Sequence, residues 1–349
     1  MGSQCTEESN LDVLITGTGF VGSNASRRFL DEGYSVIALD LNPARPDYLE
    51  GFEDKSRIVK TDVTSYVALN EIIEKERPKI WVHTATFLNP VEAFNVFEIN
   101  VRGTAIALEL SRKHDLSLVY LSSGAIYGQM EGTGDIFEDS AFGPLYPPRE
   151  FDNASGTSYS MSKRLGEQWA SMYRDLYGLR VSALRLTWVY GPGIADYRLN
   201  SGISLFLRKA LVSQPVVLPY GGDCYCDFVY VSDVADAIYK AAIAGRPKHF
   251  AYNVSYDRGC YMREVVESVE KILPGAKLFL GPGQWPSKGV LITRGGISWP
   301  SNRHMNISRA REDLGYNPSY DLERGIRAYL GWMQKNWDLC SPEKVPFKA

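Results

Sequence analysis

Cysteine and histidine are scarce in this sequence, and what there is of them is not arranged for a disulfide framework or a metal. The 349 residues hold five cysteines (Cys5, Cys224, Cys226, Cys260 and Cys340) and four histidines. An odd number of thiols scattered over so long a chain excludes a small disulfide-stapled fold and fits a reducing, cytoplasmic compartment. Cys224 and Cys226 form a C-x-C, but no second cluster at zinc-ligand spacing accompanies it, so no metal site is expected. Charge of one sign is missing too: 38 Lys and Arg stand against 41 Asp and Glu, a net charge of −3. With no basic tract, neither nucleic acid nor an anionic membrane is expected as a partner. No apolar run approaches the roughly 18 residues a membrane-spanning helix needs. The first ten residues, MGSQCTEESN, are polar and acidic and do not resemble a signal peptide.

What the chain has in quantity is alternation. DVLITG, SVIALD, RIVKTD, KIWVHTA and SLVYLSS read as strands, and between them lie segments with apolar residues at helical spacing: FVGSNASRRFLDEG, SYVALNEIIEKER and VEAFNVFEINVRGTAIALELSRKH. A further helix over about 158–177 precedes VSALRLTWVYG. Strand–helix alternation of this kind predicts an α/β fold, a Rossmann-type doubly wound parallel sheet with helices on both faces. After residue 192 the rhythm breaks and Gly and Pro become frequent (GPG, GRP, GPGQWPSKG). The expected division is a dinucleotide-binding half over 1–192 and a smaller, mixed substrate-binding lobe over 193–349. The two interleave through a late return to the sheet near 215–245, at DFVYVSDVADAIYKAA. The stretch 128–158 is poor in periodic positions and reads as a long loop, suited to close over a substrate.

LITGTGFVGS places Gly17, Gly19 and Gly22 at the end of the first strand and the start of a helix. The first glycine permits the tight turn, and the second lets the backbone approach a pyrophosphate. The third lets the helix sit close to the strand, its N-terminal amides, near Gly19, Phe20 and Val21, facing the phosphates. Asp40 ends the second strand 18 residues beyond Gly22. A carboxylate there accepts the hydroxyls of an adenine ribose and repels a 2′-phosphate, which favours NAD over NADP. Arg45 is close enough in sequence to offer a phosphate the opposite welcome. Asp62, at the end of the third strand, is a candidate for the adenine amino group or equally a helix N-cap.

SYSMSKRLGE sets Tyr159 four residues before Lys163, on one face of a helix. Alone, such a pair is most often solvated surface. In its setting the chain resembles the extended short-chain dehydrogenase/reductase family, also called NAD-dependent epimerase/dehydratase, from about residue 11 to 335. The resemblance rests on ITGTGFVG, LD at 39–40, TDV at 61–63, HTAT at 83–86, NVRGT at 100–104, LSSGAIYG at 121–128, YSMSKRLGE, LRLTWVYGPG, DFVYVSDVADAI and ISRAREDLGYNP. It implies cofactor contacts at Gly17, Gly19, Phe20, Val21, Gly22, Asp40, Asp62, Val63, Thr84, Ala85, Tyr159 and Lys163, and a Ser123–Tyr159–Lys163 catalytic set. The chemistry suits those residue types. A free phenol titrates near 10 and is a poor base at neutral pH, but a neighbouring ammonium favours the phenolate. Ser123, rather than its neighbour Ser122, matches the family's hydroxyl four residues before Tyr127. Asn100 matches an asparagine that supports the active-site helix, and His83 is expected to line the cofactor pocket.

Departures from the family narrow the expected reaction. The first two glycines are one residue closer than usual. Where related 4,6-dehydratases carry an Asp–Glu pair, this chain has Gly124 and Ala125, which disfavours dehydration. Where related epimerases hold a diphosphate with an Asn and an Arg, it has Trp188 and Cys226. Arg294, or alternatively Arg303, is left to hold one anionic group. Phe87, Gly124, Trp188 and Arg294 are the candidate substrate contacts; Phe87, Trp188 and Tyr225 suit sugar stacking or plain packing equally. The reading that follows is an NAD-dependent oxidoreductase acting on a secondary alcohol of a sugar, sugar acid or similar small polar substrate. A sugar epimerase with retained cofactor and a non-catalytic dinucleotide sensor are its alternatives. The resemblance also implies a homodimer through the helices near 90–113 and 158–177, with Phe94, Phe97, Ile106 and Trp169 as apolar surface.

Overall fold

The computed structural model describes residues 12–42, 46–88, 92–128, 134–145, 154–193, 202–284 and 303–347. Five strands of the first half, β1 (Val13–Thr16), β2 (Val36–Asp40), β3 (Ser56–Lys60), β4 (Ile80–His83) and β5 (Ser117–Ser123), fall where the β-branched runs predict them. Beyond the short β6 (Gly134–Ile136), β7 (Val181–Leu186) continues the same sheet, followed by β8 (Trp188–Tyr190). The lobe adds β9 (Val216–Leu218), β10 (Tyr225–Cys226), β11 (Phe228–Tyr230), β12 (Ala251–Val254), β13 (Cys260–Tyr261), β14 (Leu278–Leu280) and β15 (Arg303–Met305).

Seven of these strands make one parallel sheet in the order β12-β7-β5-β4-β1-β2-β3. The order reverses between β1 and β4, so a crevice opens there at the carboxyl ends of the strands, where open α/β sheets bind ligands. Strands buried on both faces read as near-continuous apolar runs, which is why β1 and β2 are almost wholly hydrophobic.

Helices α1 (Phe20–Asp31) and α7 (Val231–Ile243) cover one face with α9 (Ser308–Leu314), packing Phe29, Leu30, Val234 and Ile238 onto Val13, Ile15, Val119 and Leu184. The other face is covered by α2 (Tyr66–Glu76), by a continuous helix of three parts, and by α5 (Ala154–Tyr177). The three parts are α3 (Ala93–Val96), a π-helical stretch (Phe97–Arg102) and α4 (Gly103–Lys113). A third cluster, built from Phe206, Leu207, Val265, Ile326, Tyr329 and Met333, is the lobe's own core. It joins α6 (Gly202–Leu211), α8 (Met262–Ile272) and α10 (Leu322–Lys335), with α11 (Trp337–Cys340) closing the end.

The structure changes three of the sequence expectations about architecture. The strand that returns to the sheet is β12 at 251–254, beyond the expected 215–245. Phe228–Tyr230 instead pairs with Trp188–Tyr190 in a separate two-stranded ladder, and only the following α7 packs on the sheet. The 128–158 stretch is not all loop: β6 within it pairs with β15, tying it to the lobe. Ile106, expected on an exposed dimer surface, is buried in the sheet's core, whereas Phe94, Phe97 and Trp169 are exposed.

Candidate active site

The glycine turn is held by contacts that leave no space for a side chain at two of its three glycines. Gly17 has φ +85°, and a Cβ there would lie 2.4 Å from Ala85 Cα; one on Gly22 would lie 2.0 Å from the Gly17 carbonyl oxygen. Thr84 Oγ1 donates to the carbonyls of Thr16 (2.9 Å) and Gly17, which pins the turn to the end of β4. A Cβ on Gly19 would meet nothing within 4 Å. Gly19 is thus the one point of the turn that faces open space, as a backbone approached by a pyrophosphate must. The first turn of α1, whose amides lack helical partners, contains no acidic side chain to repel phosphate. Phe20 is buried and Val21 half-buried against the sheet, so their backbone rather than their side chains is what they offer.

Asp40 ends β2 beside this turn. Thr18 N donates to Asp40 Oδ2 at 2.7 Å and Asn42 N to Oδ1 at 2.9 Å. Thr18 Oγ1 also donates to Oδ2, at 3.4 Å, whereas Oδ1 keeps a further lone pair, so the carboxylate can shape the loop and still accept a ribose hydroxyl. Asp62 is exposed and accepts from Thr64 N and Oγ1, both at 2.8 Å. The helix N-cap expected there belongs to Ser65 instead. Val63 is buried against Gly103 of α4, and Ala85 is buried beneath the glycine turn. These residues fit a dinucleotide: a turn open only at Gly19, a carboxylate at the next strand end, and a buried Thr86 Oγ1 with no partner among the described residues.

At the next strand ends the catalytic candidates assemble. Helix α5 carries Tyr159 and Lys163, and β5 ends in Ser122 and Ser123. Lys163 is 3% exposed; its Nζ donates to the Leu121 carbonyl at 2.8 Å and lies 6.0 Å from the centre of the Tyr159 ring. It is thus anchored two residues from Ser123 while facing the phenol. Burial pulls the ammonium from 10.5 down to about 7, so its charge depends on the acceptors facing it. Strand alternation separates the two serines. Ser122 Oγ turns under α5 and donates to Glu167 Oε2 at 2.6 Å, whereas Ser123 Oγ accepts the Ala125 amide at 3.2 Å and keeps its own proton for another partner.

Asn100, in the π-helical stretch, clamps the loop after β4. Its Oδ1 accepts Phe87 N at 2.6 Å, and its Nδ2 donates to Phe87 O at 3.1 Å and Ser162 Oγ at 3.0 Å. Ser162 Oγ in turn donates to the Tyr159 carbonyl at 2.7 Å, so one asparagine links that loop to α5. His83 does not line the pocket. It is buried between Thr16 Oγ1 (2.8 Å) and Thr104 Oγ1 (3.3 Å), and burial, with the Lys163 charge, lowers it to about 3. A neutral, doubly bonded imidazole is packing, not a base.

Beneath Ser123 and Tyr159 lies a buried polar network that motif reading missed. Arg185 on β7 reaches Glu167 with Nε (3.1 Å) and Nη2, the Tyr127 hydroxyl at 2.8 Å and the Glu138 carbonyl at 2.7 Å. Tyr127 OH donates to Asn253 Oδ1 at 2.6 Å. The signal was an arginine in the otherwise uncharged strand VSALRL, together with an acid one turn after Lys163.

The lobe side is built otherwise. Cys226 is buried and pairs across the ladder with Cys260 in the lobe's core. Trp188 is half-buried, edge-on to Phe228 at 6.4 Å, and its amide is fixed on the Asp227 carbonyl at 3.1 Å. Tyr225 packs edge-on against Tyr261 at 5.2 Å. Phe87 is half-buried with its peptide clamped, and Gly124 is buried at the start of a 3₁₀ turn. Arg303 donates to the Asp135 carbonyl at 3.2 Å. Arg294 and Arg45 lie outside the described residues.

Comparison with known proteins agrees with this geometry. Residues 13–255 match the NAD dependent epimerase/dehydratase family. A putative UDP-glucose 4-epimerase of Methanocaldococcus jannaschii is 29% identical over 335 residues, covering 93% of this chain and 99% of that protein. The UDP-glucose 4-epimerase of Thermotoga maritima, solved with UDP-glucose, superposes with a TM-score of 0.78 at 21% identity, over 93% of this chain and 99% of that one. A dTDP-glucose 4,6-dehydratase of Bacillus anthracis, solved with NAD, superposes with a TM-score of 0.77 at 24% identity, over 96% and 99%. The chain belongs to the NAD-dependent epimerase/dehydratase family, and its cofactor is NAD.

Proposed function

We propose that the protein oxidises a secondary alcohol of a sugar-like substrate by hydride transfer to NAD, with Tyr159 as base, Lys163 as its electrostatic partner and Ser123 as the hydroxyl that orients the substrate oxygen. The observation that carries this is the Lys163 amine, buried, anchored beside Ser123 and facing the Tyr159 ring. NAD supplies the hydride acceptor when bound at the glycine turn. The protein's own groups do the rest. Tyr159 takes the hydroxyl proton, Ser123 fixes the oxygen, and Lys163 favours the phenolate and reaches the nicotinamide ribose. Gly19, Phe20 and Val21 offer backbone amides to the pyrophosphate and Asp40 its carboxylate to the adenine ribose.

Two outcomes of that oxidation are open to this site. In one the ketone leaves and NADH is exchanged, as in a dehydrogenase; in the other the same carbon is re-reduced, as in an epimerase. The relatives, whose names are those of UDP-glucose 4-epimerases, favour the second. The buried Cys226 and packed Trp188, at positions where related epimerases hold a diphosphate, favour a substrate without a nucleotide. Gly124 and Ala125 provide no acid for dehydration. Exposed Phe94, Phe97 and Trp169 on the three-part helix and α5 support a homodimer through those helices. No helix among the described residues is long and apolar enough to cross a membrane.

The test is incubation of purified protein with NAD and a panel of sugars, sugar acids and UDP-sugars, read both by NADH absorbance and by chromatography for epimers. NADH release on a free sugar or sugar acid supports the dehydrogenase form, and an epimer without net NADH supports the other. Silence in both readouts across the panel sinks the proposal.

A further inference from the structure

Between the lobe and helix α1 runs a short bridge, Gly191–Pro192–Gly193, whose two end residues both adopt the positive φ that favours glycine. Gly191 has φ +131°, and a Cβ there would lie 2.9 Å from Val231 Cγ1 and 3.0 Å from Tyr230 Cε2. Gly193 has φ +85°, and a Cβ there would lie 3.3 Å from Asn24 Nδ2, 3.6 Å from Ser23 Oγ and 3.8 Å from the Phe20 ring. The bridge is therefore seated on the first turn of α1, the same turn whose amides face the pyrophosphate position. One side chain fastens it. Asn24 Nδ2 donates to the Phe20 carbonyl at 2.9 Å and to the Pro192 carbonyl at 3.1 Å.

We propose that Gly191–Gly193 is a strap across the pyrophosphate turn and that Asn24 is its latch, a positioning residue that keeps NAD bound between turnovers. The proposal rests on the NAD reading of the glycine turn and deepens it. A cycle that oxidises and re-reduces one carbon needs the reduced cofactor to stay, and a latched strap supplies that retention without touching the reacting atoms. The strap's other end, on Tyr230 and Val231 at the β11–α7 junction, makes cofactor release depend on the lobe that faces the substrate.

The experiment measures NADH dissociation, which needs no knowledge of the substrate. Purified protein is loaded with NADH and mixed with excess NAD, and the loss of bound NADH fluorescence is followed. Asn24→Ser can keep the bond to Phe20, as Ser26 does to Gly22 at 2.8 Å, but cannot reach Pro192. It should release NADH at least about fivefold faster, the loss of one hydrogen bond. Asn24→His places a single N–H, at Nδ1, near the amide nitrogen's position; it can serve the Pro192 carbonyl but not the Phe20 carbonyl as well, and should release NADH more slowly than Asn24→Ser. Melting temperatures of the NAD-free proteins serve as the control for a merely structural role. Equal dissociation rates for parent and Asn24→Ser overturn the latch, as does an Asn24→His variant no slower than Asn24→Ser. Faster release matched by an equal loss of NAD-free stability overturns it too. Failure of the parent to bind NADH at all overturns instead the assignment of the glycine turn, on which the latch depends.

Discussion

The cofactor end and the substrate end of this site are built on opposite terms. At the cofactor end the working parts are backbone: Gly17 and Gly22 are glycine because Ala85 and the Gly17 carbonyl occupy the space of a Cβ, and Gly19 because the turn must be open there. At the proposed substrate end the side chains pack instead, with Cys226 in the lobe's core and Trp188 against Phe228. Backbone geometry shared by every dinucleotide turn cannot drift without losing the cofactor. A clamp made of side chains can be replaced by core residues while the fold persists, so specificity changes there first.

The sharpest way to break the comparison is at the junction of the two ends, where Tyr159 stands. Tyr159→Phe removes only the phenolic proton acceptor and should lower turnover by about a thousandfold, within the range of a positioned base. NADH affinity should stay within about twofold, since the amides of the glycine turn are untouched. Steady-state kinetics on the panel's active substrate, beside fluorescence titration, separates the two effects. A variant keeping a tenth of the parent rate would mean that another group takes the proton.

Much of this was legible in the sequence, and the pattern of what was not is physical. Strand–helix alternation gave the five strands of the first half because period and β-branching are local. Gly17, Gly19, Gly22 and Asp40 were readable because a fixed spacing along one strand–turn–helix unit carries their geometry. The return of β12 to the sheet was misplaced because DFVYV has as strong a strand pattern as AYNV. Only tertiary pairing with Trp188–Tyr190 takes it out of the sheet. The sequence points His83 toward the cofactor pocket and Ile106 toward a surface, and both are buried instead, because burial of a strand end or helix face depends on neighbours distant in the chain. Arg185 and Glu167 are 18 residues apart, and their pairing shows only when α5 lies on β5 and β7.

That pair is the next test, because it supports both ends through neither backbone nor packing. Arg185→Met leaves Glu167 charged in the interior without its counter-ion, held by the Ser122 hydroxyl alone among the bonds described, and should cost about 3–5 kcal/mol in urea unfolding. Adding Glu167→Gln should recover most of the loss, because the bare charge goes with it. If the double variant is no more stable than the single one, the network acts through shape and not charge.

A smaller, pH-dependent effect belongs to the substrate end. Asp227 is fully buried; its Oδ2 accepts Met305 N at 2.9 Å, and Oδ1 has no partner among the described residues. Burial, with a lesser push from Asp257, raises its carboxyl from 3.8 to about 7 against the stabilising pull of Met305 N and the Ser255 side chain. The folded state therefore holds the proton across that window while the unfolded chain has released it. Stability from this group is present below about 4 and is lost as pH rises toward 7, by at most about 4 kcal/mol. Asp227→Asn should flatten that slope, and urea midpoints at pH 5 and pH 8 measure it. A parent whose stability is level between those values would show that the carboxyl ionises without penalty.

The smallest effect sharpens the cofactor end itself. Gly19→Ala and Gly17→Ala add the same methyl group two residues apart along the turn. At Gly17 the methyl meets Ala85 Cα at 2.4 Å on a backbone with φ +85°, so the fold itself should lose about 2–3 kcal/mol. At Gly19 φ is −69° and nothing lies within 4 Å, so the NAD-free protein should melt as the parent does. The methyl then stands where the pyrophosphate approaches, and NADH affinity should fall by about tenfold, the equivalent of about 1.4 kcal/mol. Stability and affinity thus part company within three residues. Equal NADH affinity in Gly19→Ala and the parent would mean that the pyrophosphate lies elsewhere along the turn, and that the open face at Gly19 reflects loop shape alone.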